Sequence, residues 1–212
     1  MPVTGFDVKF SRPLADGKSW GDVGPYEELR GTLHFTIDPT HAANERITDV
    51  ALAPRNADGR VEFSADVSII LPVDRSKANG RMILDVVNRG NRVAFPNFNR
   101  ATRPTIDENT PIDVEIDPGD GFLMRNGYVT VACGWQKDAP PHPALITLDG
   151  PDALESANGG AAKPITGRVY SQLQSPADVH NFLLSDKGHR AYPAADMDQP
   201  DAYMEVRDEP DG

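Results

Sequence analysis

Asn88-Arg89-Gly90-Asn91 is the stretch best suited to chemistry, because it follows directly on the apolar run Met82, Ile83, Leu84, Val86 and Val87. Asparagine and glycine tolerate tight and left-handed backbone, so main-chain N–H groups in such a turn can face a ligand. Arg89 adds a charge that suits a substrate carboxylate or one of the protein's own many acids. The same four residues would also serve as a plain strand-to-loop turn.

No second constellation of this kind stands out. A reactive serine needs a strained strand-to-helix turn that exposes its oxygen beside backbone donors. Ser64 and Ser68 instead alternate with apolar residues, Ser171 and Ser175 bracket a strand end, and the chain contains no Gly-x-Ser-x-Gly. Cys133 ends an apolar run and reads as a small buried residue rather than a nucleophile. His142, His180 and His189 lie among aspartates, but without His-x-x-x-His spacing or an Asp-rich calcium loop. Neither Gly-x-Gly-x-x-Gly nor a Walker-type Gly-Lys-Ser/Thr occurs. The expectation is therefore no catalytic residue, metal ligand or cofactor site within the chain itself.

The elements that would carry the loop are mostly strands. Residues 3–10, 29–37, 47–53 and 61–71 read as strands, with Leu33, Phe35 and Ile37 on one face and His34 on the solvent side. Asn56-Ala57-Asp58-Gly59 is a hairpin signal. Residues 82–87 read as a strand covered on both faces, so an aspartate at Val86 should be costly. Phe122 to Arg125 reads as a helical turn ended by Asn126-Gly127, and residues 128–133 as a strand that Gly134 stops, buried beside the first. The connection over 92–118 is polar and proline-spaced, with Phe95, Phe98 and Ile112 as anchors. Residues 144–148, 165–173 and 202–207 read as further short strands, and 149–163 as a linker.

A chain of 212 residues can bury a substantial core, and its 18 glycines and 19 prolines imply many turns. A net charge of −11 disfavours a nucleic-acid partner and anionic membrane surfaces. No apolar run approaches the roughly 20 residues needed to span a bilayer. One cysteine excludes an internal disulfide, and the amino terminus shows no secretory pattern, so a cytoplasmic location is expected.

Several phrases together resemble the α/β-hydrolase-domain proteins, in particular a branch of predicted serine esterases. They are Gly24-Pro25-Tyr26-Glu27, Asp85-Val86-Val87-Asn88-Arg89-Gly90-Asn91, Gly121-Phe122-Leu123-Met124-Arg125-Asn126-Gly127, Cys133-Gly134-Trp135, Pro164-Ile165-Thr166-Gly167 and Tyr192-Pro193-Ala194-Ala195. They keep their order from about Pro13 onward. The resemblance implies a β-rich α/β fold, with an antiparallel start followed by a parallel section. It places the amino-terminal part of a hydrolase-like domain at 1–149, and a linker with an inserted β lobe at 150–212. It also implies that a backbone N–H around Asn88, Arg89 or Gly90 serves an oxyanion hole for a small ester substrate. The family's serine elbow is missing, so the chain is expected to be the amino-terminal portion of such an enzyme and inactive alone. An unpaired sheet edge would then favour self-association. The competing reading is a non-enzymatic β-rich binding module.

Overall fold

The computed structural model describes residues 3–107, 109–140, 142–155, 162–168, 194–196 and 198. Its long strands follow from period-two patterning. β1 (Val3–Pro13), β2 (Tyr26–Ile37) and β3 (Val61–Pro72) pair antiparallel in sequence, and the β2–β3 register runs unbroken from Tyr26↔Pro72 to Ile37↔Val61. Asn56–Gly59 closes a turn, with Gly59 N–H donating to Asn56 O at 2.9 Å and Asn56 N–H to Arg60 O at 2.8 Å, but no strand leads directly into it, so it is not the expected hairpin.

β4 (Met82–Val86) and β5 (Val129–Cys133) complete the sheet. β5 pairs antiparallel with residues 67–70 of β3, while β4 pairs parallel with β5 from Met82↔Val129 to Val86↔Cys133. The order is β1-β2-β3-β5-β4, a β-rich mixed sheet with few helices. A parallel neighbour cannot be reached by a hairpin. The crossover between β4 and β5 carries α1 (Ala94–Phe98) and α2 (Phe122–Arg125), and its loops enclose the site described below. β6 (Leu148–Asp149) joins residues 64–65 of β3, and β7 (Leu154–Glu155) and β8 (Lys163–Pro164) form a separate antiparallel pair.

The central sheet buries opposite faces at its two ends. Tyr26 and Ile70 join Leu14, Trp20, Phe95, Ile116, Leu123 and Met124 in the main core. At the far end Ile37, Val50 and Val61 form a second cluster, backed by Phe63, whose ring stacks on Phe35 at 4.9 Å between centroids. Alternation along one strand thus serves two cores, which a single hydrophobic face would not reveal.

Several sequence expectations change. Residues 47–53 form no strand: Asp49 is left-handed (φ 56°) and Leu52 N–H donates to Asp49 O at 2.9 Å, so Val50–Leu52 curls into a 3-10 turn that drops Val50 onto the second cluster. Residues 144–148 are strand only from Leu148, because Ile146 N–H is drawn to Gly90 O at 2.9 Å. Phe95 and Ile116 anchor the crossover, whereas Phe98 is exposed and Ile112 only partly buried. Residues 165–168 carry no strand, and the remainder of the strand expected over 165–173 lies outside the described residues, as does the one over 202–207.

The largest correction concerns β4. Met82, Leu84 and Val86 are 59%, 57% and 62% exposed, because nothing among the described residues packs on that face; only Asp85 and Val87, on the opposite face, are buried, with Ile83 partly so. β4 is a neighbour of β5, as expected, but it is covered on one side. Val86→Asp is therefore expected to change stability by less than about 1 kcal/mol, as surface substitutions do, rather than by several. It should also reduce any self-association through this apolar edge. Thermal melting and sedimentation of the variant check both, and a large drop in melting temperature would contradict an open face.

Candidate functional site

The loop 88–91 caps the carboxyl end of β4 and is tied down from three directions. Asn88 and Asn91 exchange N–H···O bonds at 2.9 Å each, closing the turn on itself. Trp135 donates its indole N–H to Val87 O at 2.6 Å, and Gln136 Oε1 accepts the Arg89 N–H at 2.7 Å. These two contacts come from the segment just after β5, where Gly134 lets the chain pass against Thr147; an added Cβ would lie 2.1 Å from Thr147 O. Gly90 O in turn accepts from Ile146 N–H. The loop is thus a rigid part of the fold.

Of its four amides, three are consumed in this way. The Gly90 N–H is the one left without a partner among the described residues. Gly90 is left-handed (φ 83°), and a Cβ there would meet Leu145 Cβ at 2.7 Å, so both backbone and space require glycine. Arg89 is also left-handed (φ 49°), a less usual conformation for a side chain of its size.

Gly90 lines a cavity of about 170 Å³ enclosed by Asn88, Asn91, Arg92, Val93, Phe95, Pro96, 102–104, Ile106, 114–117, Ala144 and Leu145. The crossover supplies most of the wall. The walls are mainly apolar. Arg92 lines the cavity, but Arg89 does not. Carboxylate recognition, placed at Arg89 by sequence, therefore has its better candidate three residues later.

Behind the cavity lies a buried charge cluster that sequence reading missed. Glu28, on β2, is fully buried; its Oε2 accepts from Arg12 Nε and Nη2 at 3.0 and 2.7 Å, and its Oε1 accepts from Ser68 Oγ at 2.6 Å and stands 3.6 Å from Arg92 Nη2. Arg30 is fully buried and donates from Nη2 to Leu145 O at 2.8 Å, while its Nε and Nη1 have no partner among the described residues. Burial, then the neighbouring Arg92, pull the Arg30 pKa down to about 10. Burial likewise lowers that of Arg92. Asp85, on β4, accepts from the N–H groups of Val93 and Ala94 through Oδ2 at 2.9 Å each, fixing the loop at the start of α1.

His34 bonds Asp7 Oδ2 at 2.8 Å on the exposed side of β2. His142 accepts the Ala144 N–H at its Nδ1 at 3.1 Å, a structural contact in the 142–145 turn. Cys133 is half-buried, and its thiol pKa is raised by burial and then by Asp66, which disfavours the thiolate. Ser64 and Ser68 lie within β3, and Ser68 is held by Glu28. His180, His189, Ser171 and Ser175 lie outside the described residues. Among the described residues no helix is long and apolar enough to cross a membrane. Set beside known proteins, the chain matches no protein-family model, no curated protein and no solved structure.

Proposed function

We propose that this chain forms the oxyanion-loop half of an α/β-hydrolase-type serine hydrolase acting on a small carboxylic ester. The observation that carries the reading is the Gly90 N–H, without a partner among the described residues, at the carboxyl end of a parallel strand on the wall of a small, largely apolar cavity. In acyl transfer, charge develops on the carbonyl oxygen as the tetrahedral intermediate forms. A fixed N–H aimed at that oxygen stabilises it by about 3 kcal/mol. The strand order supports the same reading, since an antiparallel series followed by a parallel pair is how hydrolase-type sheets begin. No serine of the required kind occurs in these 212 residues, so the nucleophile would come from outside them. That same absence favours the second reading, a pocket that binds without catalysis.

The two readings separate under a fluorophosphonate probe applied to extracts of the source cells. Peptides of this chain should be recovered from a labelled protein whose modified serine lies outside the 212 residues. The purified chain should remain unlabelled and show no turnover of short activated esters. A native protein that contains these peptides yet resists the probe would favour the binding module. Turnover by the purified chain that the probe blocks and Cys133→Ala leaves intact would overturn the placement of the nucleophile.

A further inference from the structure

Arg92 is poorly satisfied for a charge that lines a cavity. Its guanidinium makes no hydrogen bond among the described residues, its closest contact with a counter-charge is the 3.6 Å approach to Glu28, and its Nε is buried without a partner. Glu28 does not discharge it, because that carboxylate already takes two hydrogen bonds from Arg12 and one from Ser68. Arg30 adds a further buried positive charge behind the Leu145 wall, with only backbone carbonyls as hydrogen-bond partners among the described residues. Arg92 on the wall, with Arg12 and Arg30 behind it, thus forms a group of three guanidiniums for which Glu28 is the only carboxylate in ion-pair contact among the described residues. A buried guanidinium with unused donors is costly unless an acceptor arrives, and a carboxylate matches its planar fork in two parallel bonds.

We propose that the cavity is an anion pocket in which Arg92 takes the carboxylate of a small monoanionic ligand: an ester that retains one free carboxylate. The proposal rests on the oxyanion reading of Gly90 for the place of the ester group, whereas the contact at Arg92 stands without it. Size and charge narrow the ligand further. About 170 Å³ holds a short-chain acid rather than a drug-sized molecule. Glu115 and Asp117 line the same cavity and are exposed at its edge, and Asp117 is kept ionised by the N–H groups of Thr102 and Gly119. With Arg103 also on the wall, these two carboxylates still leave the entrance with one net negative charge, which penalises a dianion more than a monoanion. A carboxylate is thereby preferred over a phosphate.

Nitrogen-edited NMR of the 212-residue chain, titrated with monomethyl succinate, dimethyl succinate and inorganic phosphate, tests this directly. Monomethyl succinate should shift the Gly90, Asn91 and Leu145 amides saturably, while the uncharged dimethyl ester and phosphate should bind weaker by about ten-fold or more, the worth of a hydrogen-bonded charge. Arg92→Gln should lose the same factor and Arg92→Lys should recover part of it, with far-UV circular dichroism confirming the fold. Equal affinity for the two esters, tighter binding of phosphate, or wild-type affinity in Arg92→Gln would overturn the proposal. Should Arg92→Gln fail to fold, the two esters compared on the wild-type chain still decide. Failure of probe labelling leaves this binding result standing, and failure of binding leaves the labelling standing, so the two readings fall separately.

Discussion

Glu28→Gln is expected to lower stability by about 3–5 kcal/mol, the usual cost of removing one partner from a buried ion pair. The carboxylate is fully buried on β2, accepts hydrogen bonds from Arg12 and Ser68, and stands 3.6 Å from Arg92 Nη2. Glutamine keeps the shape and one acceptor oxygen, but its amide presents two N–H donors to groups that are themselves donors. Arg12, Arg30 and Arg92 would then face one another across the base of the sheet without a contacting counter-charge. Arg12 also donates to the carbonyls of Asp113 and Val114, so its displacement would loosen the cavity wall at Val114. Urea unfolding at neutral pH gives the number. A loss below about 1 kcal/mol would mean that water already solvates these guanidinium groups. Arg12→Met in the same background should restore part of the loss, because the two changes share one interaction and are not additive.

That cluster also shows where sequence reasoning reached its limit. β1, β2 and β3, the Asn56 turn and the Phe122–Arg125 helix were legible because each is specified by residues within a few positions of one another: apolar alternation, Asn-x-x-Gly, a helical turn closed by Asn-Gly. Tyr26, Glu28 and Arg30 share the buried face of β2, yet local pattern alone reads two of the three as surface residues. Their partners Arg12, Ser68, Arg92 and Leu145 are distant in the chain and meet only after the sheet has formed. The exposed face of β4 failed for the complementary reason. A continuous apolar run reports that a surface should be covered, and Met82, Leu84 and Val86 have no such cover among the described residues. The site itself was half legible. Loop chemistry pointed to 88–91, but which amide stays open depends on Gln136, and which arginine lines the cavity depends on how the crossover folds back.

Asp85→Ala should cost about 3 kcal/mol and should also release the cavity loop, joining stability to function at one residue. Asp85 is buried on β4, and its Oδ2 takes both the Val93 and Ala94 N–H groups at 2.9 Å. Those are amides at the start of α1, and they have no helical acceptor of their own. Two charge-assisted bonds at about 1.5–3 kcal/mol each set the scale, and sharing one oxygen keeps the sum below their simple total. Losing them frees the stretch that holds Arg92 and Val93 against the cavity, so the affinity of any ligand bound there should fall along with the melting temperature. Asp85→Asn discriminates between geometry and charge. Its carbonyl can still accept from both amides, but its NH₂ would be buried near Arg92 with no acceptor, so an intermediate loss is expected. Hydrogen exchange reads the mechanism directly. Protection at Val93 and Ala94 should collapse in the alanine variant and persist in the asparagine variant. Unchanged protection in Asp85→Ala would show that α1 is held by Phe95 in the main core rather than by this carboxylate.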